Sequence, residues 1–275
     1  KETMIKGEKL DVDIFVRFDW KYEYLSFHLE EILKEIKKAE RIEFKKMHGS
    51  RDYFQINEGK ITFEVIPVLK IKKVREARSI TDLSYFHVNY TRRKLKKGLE
   101  KEIILAKQFC RAQEVYGAES YINGFSGYGL ECLIIYYKSF EKMLRELVKV
   151  KEGERVIIDI EKKYKKKEEV LFELNENKTN VPIVLIDPTW KERNALAALS
   201  FETFRKFQEA ARAFLKAPSE KFFEDKKFDE NSFRKKAEKM KAEFLHVILE
   251  TDRQEGDIAG TKMKKFYKFL ELEMK

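Results

Sequence analysis

The stretch LDVDIFVRF, residues 10–18, decides how the first part of the chain folds. In a strand alternate side chains share a face, so Leu10, Val12, Ile14, Val16 and Phe18 point one way, and Asp11, Asp13, Phe15 and Arg17 the other. The two carboxylates therefore project together. Neighbouring anions repel, and the pairing is costly unless a cation, a shared proton or water offsets it. Alone, D-x-D equally fits a strand whose second face is simply solvated.

Working outward from that strand, Leu25, Leu29, Ile32, Leu33 and Ile36 recur at helical spacing, which predicts an amphipathic helix over 22–39. RIEFKK, DYFQIN and KITFEVIPVL alternate as strands, with Glu58-Gly59 turning between the last two. The pattern β-α-β-β-β predicts a small mixed sheet with a helix on one face. Glu64 sits in the last strand among Phe63, Val65 and Ile66. If that strand lies beside the first, Glu64 shares a face with Asp11 and Asp13. Three carboxylates on adjacent strands make a hard oxygen site suited to Mg²⁺.

From about residue 91 the pattern changes to long helices. The first carries Leu95, Leu99, Ile103, Ala106 and Cys110 on one stripe, and two more start at Ser126 and Ser139, each a candidate N-cap. Two strand-like runs, ERVIIDIE and VPIVLIDP, come next, then a helix with Phe204, Phe207, Ala211 and Phe214 inward. A charged helix (about 231–243), a strand LHVILET and a last helix complete the chain. Lys runs at 162–167 and 234–242 read as solvated faces.

Bulk properties narrow the function classes. A net charge of +10, from 58 Lys+Arg against 48 Asp+Glu, favours a polyanionic partner, although a Lys/Glu-rich surface is also a thermophile habit. The only two cysteines, Cys110 and Cys132, have no metal-ligand or CxxC neighbour, which argues against a zinc module or a disulfide scaffold and for a soluble protein of a reducing cytoplasm. No apolar run approaches the roughly 18–20 residues of a membrane span, and no secretory signal is visible. The chain opens KETMIKG without an initiator Met, as expected of a piece trimmed at its N-terminus.

A D-x-D strand, an amphipathic helix and a strand with one carboxylate, in a basic chain, resemble the palm of the DNA polymerase β-like nucleotidyltransferases. The later segments YGAE (116–119), GFSGYGLECLIIYYKSF (124–140), DPTWKERNALAALS (187–200) and APSEKFF (217–223) look like the archaeal class I CCA-adding tRNA nucleotidyltransferases, in the right order over nearly the whole chain. The fold so implied is α+β. It comprises a nucleotidyltransferase head over 1–88, a central helical nucleotide- and tRNA-binding domain over 89–205, and a small α+β tRNA-binding domain over 206–275.

The resemblance implies template-independent addition of CCA to the tRNA 3′ end from CTP and ATP, with two Mg²⁺ ions. Asp11, Asp13 and Glu64 fall on the family's metal-binding carboxylates. The commonest family pattern distributes Asp and Glu differently among the three, and both types ligate Mg²⁺. His87 matches a histidine near the triphosphate, and Lys107 and Tyr116 match a lysine and tyrosine that hold the phosphates. Lys1 falls on a basic residue, usually Arg, near the triphosphate. Arg193 matches the arginine that reads the incoming base.

Each residue also has a plainer reading. His87 can cap the helix that follows, Lys107 can be a solvated charge, Tyr116 a packed aromatic, and Arg193 the partner of a carboxylate. Ser126 is an N-cap rather than a hydrolase nucleophile, because Tyr128 occupies the position that G-x-S-x-G requires to be Gly.

The pattern departs from the family at both ends. The Gly-Ser that cradles the triphosphate before the D-x-D strand is missing upstream; Gly49-Ser50 follows the carboxylates and reads as a turn, whereas KETMIKG looks like the family's continuation after Gly-Ser. Family members also extend beyond LELEMK. Rival expectations are an oligoadenylate-synthase-like enzyme and an inactive tRNA-end-binding module, and homodimerisation is left open.

Overall fold

The computed structural model describes residues 10–40, 42–49, 51–225, 228–252 and 256–274. Lys1, expected near the triphosphate, lies outside them, as does Ser50 of the Gly-Ser pair. The head is a four-stranded sheet of β1 (Leu10–Phe18), β2 (Lys45–Met47), β3 (Tyr53–Glu58) and β4 (Ile61–Leu69), ordered β1-β4-β3-β2. Helix α1 (Leu25–Glu40) connects β1 to the rest. β1 and β4 run parallel, β3 antiparallel to β4, and the hairpin between β3 and β4 turns at Gly59 with φ +58°. A positive φ of that size is strain-free only for glycine.

One face of the sheet is buried by α1. Phe18, Phe54, Val65 and Leu69 pack there with Leu25, Leu29 and Leu33 of the helix. Every second residue of β1 and β4 is thereby committed to the core, and the alternate set, Asp11, Asp13, Thr62 and Glu64, must occupy the opposite face. Asp82 clamps the far end of β4. It is fully buried, takes Arg51 Nη1 and Nη2 at 2.6 and 3.2 Å, and accepts the backbone N–H of Leu69 at 2.8 Å.

Behind the head stand α2 (Ser84–Lys94), α3 (Leu99–Ala112), α4 (Gly127–Tyr137), α5 (Phe140–Leu147) and, after two short helices, α6 (Lys167–Glu173) and α7 (Glu176–Thr179), the long α8 (Phe201–Lys216). Ser126 accepts the N–H of Gly129 and Ser139 that of Lys142, so both expected caps are made. The first helix does not start near 91 as the stripe suggested: α2 ends at Lys94, and α3 begins after Gly98 at φ +96°. His87 thus lies inside α2 rather than capping a helix.

β5 (Val156–Ile158) and β6 (Ile183–Leu185) form a separate parallel pair. α8 runs through residue 205, and Phe204, Phe207 and Ala211 enter the same core as Ile103, Phe109, Phe125 and Leu133. Rings of Phe109, Phe140, Phe214 and Phe223 meet at centroid distances of 5.4–5.9 Å. Burying each such ring stabilises the fold by about 2–3 kcal/mol.

Residues 228–274 pack lightly. α9 (Glu230–Met240) buries no side chain, and α10 (Gly256–Glu273) docks through Asp257, which accepts from Ser120 N and Oγ at 2.8 and 2.9 Å. The expected strand LHVILET is not one. Among the described residues, 245–251 belong to no strand, and Leu245 and Ile248 are largely exposed; a strand needs a ladder for its N–H and C=O groups. Among the described residues no helix is long and apolar enough to cross a membrane.

Candidate active site

Three groups of side chains hold the described residues that the sequence singled out. The first is set by strand register: Asp13 lies opposite Glu64 and Asp11 opposite Thr62, so all three carboxylates stand on one face, as the alternation predicted. Gln55, opposite Glu64 on the other side, donates from Nε2 to Glu64 Oε1 at 2.9 Å. Burial pushes the Glu64 carboxyl up, and the negative charges of Asp13 and Asp11 add to the rise against the opposing Gln55 bond. The Tyr53 hydroxyl is raised as well, by burial and then by Glu64 and Asp13.

Among the described residues no three acidic, histidine or cysteine side chains converge on one point as a finished metal cage. Like charges spread apart, and Glu64 is engaged by Gln55. The donor set nevertheless fits a divalent cation: hard carboxylate oxygens on one face, with a mutual repulsion that a cation would relieve.

The second group lies between α3 and α4. Lys107 is only 5% exposed, so its reading as a solvated charge is overturned; Nζ donates to Glu131 Oε1 at 2.7 Å, and Glu131 also takes the Thr91 hydroxyl at 3.0 Å. Tyr116 stands beside them. A Cβ on Gly127 would lie 2.8 Å from the Tyr116 hydroxyl and 3.8 Å from Lys107 Cε, so that glycine is what admits both side chains to the start of α4. Burial raises the Tyr116 hydroxyl to about 12, followed by the charges of Glu131, Cys110, Glu119 and Asp13, which turns this group toward the carboxylate face.

The third group centres on Asp187, fully buried two residues beyond β6. Its Oδ2 accepts from His87 Nε2 at 3.0 Å and Arg193 Nη1 at 2.7 Å. Its Oδ1 accepts from Thr189 N and Oγ1 at 2.7 and 2.8 Å and from the Tyr128 hydroxyl at 3.2 Å. Tyr128 stacks on the His87 ring with centroids 4.0 Å apart. Burial works to raise the Asp187 carboxyl, but the His87 hydrogen bond and charge, with Arg193 and Thr189, hold it well below the usual carboxylate range. Trp190, three residues on, packs against the core of the head and ties this loop to the sheet.

Sequence reasoning missed Glu131, Asp187 and Tyr128. Two carried a signal: Glu131 is a lone acid in the apolar run GLECLIIYY, and Asp187 ends the apolar run VPIVLID. A buried acid in such a run needs a cationic partner.

Residues 101–224 match the model of a family described as tRNA nucleotidyltransferase, second domain. A CCA-adding enzyme of Nanoarchaeum equitans is 42% identical over 196 residues, covering 70% of this chain and 48% of the relative. A CCA-adding enzyme of Methanosarcina mazei is 31% identical over 93% of this chain and 54% of the relative, and one of Saccharolobus solfataricus 31% identical over 96% and 60%. The chain therefore spans about half the length of the curated relatives it matches. Among solved structures, a poly(U) polymerase with bound MgGTP superposes with a TM-score of 0.57 at 14% identity, covering 82% of this chain and 84% of that one. A cytoplasmic RNA terminal U-transferase gives 0.55 at 13% identity over 78% and 81%. At those identities the likeness speaks for the fold alone, a mixed sheet with helices.

Proposed function

From a chain that is a relative of the archaeal CCA-adding enzymes along most of its length, and whose residues 101–224 belong to the tRNA nucleotidyltransferase second-domain family, we propose that this protein adds C, C and A to the 3′ end of tRNA. The donors are CTP and ATP, no nucleic-acid template is used, and pyrophosphate is released. The observation that carries this reading is the register that sets Asp13 beside Glu64 with Asp11 on the same face.

Asp11, Asp13 and Glu64 are the residues that would hold two Mg²⁺ ions; bound there, such ions lower the pKa of a hydroxyl nucleophile and neutralise charge on a transferring phosphoryl group. The side chains of the protein do the positioning. Lys107, held by Glu131 at the start of α4, brings its ammonium charge to the phosphate oxygens. Tyr116, a phenol protonated at neutral pH, has a hydroxyl proton to donate rather than a charge to repel. His87 gives its Nε2 proton to Asp187, and with a second proton on Nδ1 it would donate to the triphosphate. Arg193, anchored through Nη1, offers its remaining donors to the Watson–Crick edge of the incoming base.

The partner is the tRNA acceptor end, held through phosphates by the excess of Lys and Arg, so affinity falls steeply with salt. The setting is the cytoplasm. The domains of this reading are a head over 1–88, a central helical domain over 89–205 and a C-terminal domain over 206–275; α8 and the 3₁₀ turn Glu220–Phe223 share the core of the central helices.

The test is incorporation of labelled CTP or ATP, with Mg²⁺, into tRNAs ending before CCA, after one C and after both. C on the first two and A on the third alone is the expected result. Homopolymeric tails, or addition regardless of the tRNA end, would overturn the assignment.

A further inference from the structure

Both cationic groups assigned to the nucleotide at opposite ends, His87 at the triphosphate and Arg193 at the base, donate to one atom, Asp187 Oδ2. That atom is buried, and the second oxygen of the same carboxylate is saturated by Thr189 and by the hydroxyl of Tyr128, whose ring lies on His87. Neither donor can move along Oδ2 without changing what the other sees. We propose that Asp187 is a positioning residue for nucleotide selection: through Oδ2 it fixes the Arg193 guanidinium and the His87 imidazole relative to one another, so that seating the triphosphate sets the angle from which the base is read. This rests on the roles given above to His87 and Arg193.

Four features carry the inference. A carboxylate accepts only, so Nε2 of His87 must carry a proton toward Asp187, which fixes the orientation of the ring and leaves Nδ1 as the nitrogen that meets the triphosphate. The stacked Tyr128 blocks rotation of the imidazole about that hydrogen bond. Residues Asp187 and Arg193 are locked as a loop, since the Asp187 N–H donates to the Arg193 carbonyl at 2.9 Å, which leaves the guanidinium little freedom besides its bond to Oδ2. Finally, Asp187 lies two residues beyond β6 whereas His87 rides on α2, so the contact joins segments a hundred residues apart.

The test is a double-mutant cycle on equilibrium binding of CTP and of ATP, in complex with tRNA ending in one C and in two, using His87→Asn, Arg193→Gln and the pair. Each single change is expected to weaken the matched nucleotide, and the double variant to depart from additivity by about five-fold or more, as for groups sharing one partner. Asp187→Asn, which keeps size but turns a donor on His87 or Arg193, is expected to erase most of the preference for the matched nucleotide. It should raise KM more than it lowers kcat. Additive singles, within about two-fold, would overturn the coupling and leave the roles of His87 and Arg193 standing. Singles that change neither binding nor preference would instead overturn those roles. If Asp187→Asn fails to fold, the cycle on the two donors decides alone. A variant that loses thermal stability but keeps its preference would make Asp187 merely structural.

Discussion

Two sets of carboxylates, a few strands apart, are built in opposite ways. Asp11 and Asp13 face solvent on an open sheet, and burial, followed by their negative charges, holds the neighbouring Glu64 carboxyl above its usual range. Asp187, like Glu131, is fully buried and saturated by cationic and hydroxyl donors. Negative charge gathered on an open face is a place for a cation to act. Saturated negative charge in the core can only hold other groups still. The same residue type thus serves chemistry in one setting and geometry in the other, and what decides is whether the carboxylate stands open to solvent or is sealed among donors in the core.

The contrast breaks most visibly at the sheet. Asp13→Ala is expected to lower the rate of C incorporation by more than about a thousand-fold, with the melting temperature and tRNA affinity nearly unchanged, as gel assays and calorimetry would report. A comparable loss of stability would make the face a structural one. Next in size is Lys107→Met, which strands Glu131 uncharged-for in the core and should cost about 3 kcal/mol in denaturant unfolding. Adding Glu131→Gln should restore most of that stability but not the nucleotide KM, which separates the ion pair's packing role from contact with phosphate.

Gly127→Ala is a smaller probe. Its Cβ would crowd the Tyr116 hydroxyl at 2.8 Å, so KM for nucleotide should rise several-fold while folding loses only about 1 kcal/mol. The smallest effect concerns pH. Because the Glu64 pKa is raised in the fold, the native state binds that proton more tightly than the unfolded chain, and the ionised carboxylate costs stability at neutral pH. The cost disappears as pH falls through the raised value toward the ordinary one near about 4.3. Glu64→Gln, inactive, should therefore melt slightly higher than wild type at pH 7 and no higher at pH 4.

Much of the head was legible in the sequence. Strict alternation in LDVDIFVRF and KITFEVIPVL assigns faces unambiguously once both are strands, and the carboxylates follow. The central helices were legible where serine caps announced them. What stayed hidden depends on contacts distant in the chain: Lys107 looks solvated until Glu131, on another helix, is brought against it, and His87 looks like a cap until Asp187 arrives from a hundred residues away. LHVILET misled because alternation marks strand propensity, while a strand also needs a neighbour with which to pair.

The most direct measurement is the effect of Mg²⁺, with and without CTP, on the melting temperatures of wild type, Asp13→Asn and Asp187→Asn. Wild type should be stabilised saturably by the cation, more so with CTP; Asp13→Asn should lose that response; Asp187→Asn should start lower and keep it. An equal response in Asp13→Asn and wild type, or its loss in Asp187→Asn alone, would contradict the division between the two sets of carboxylates.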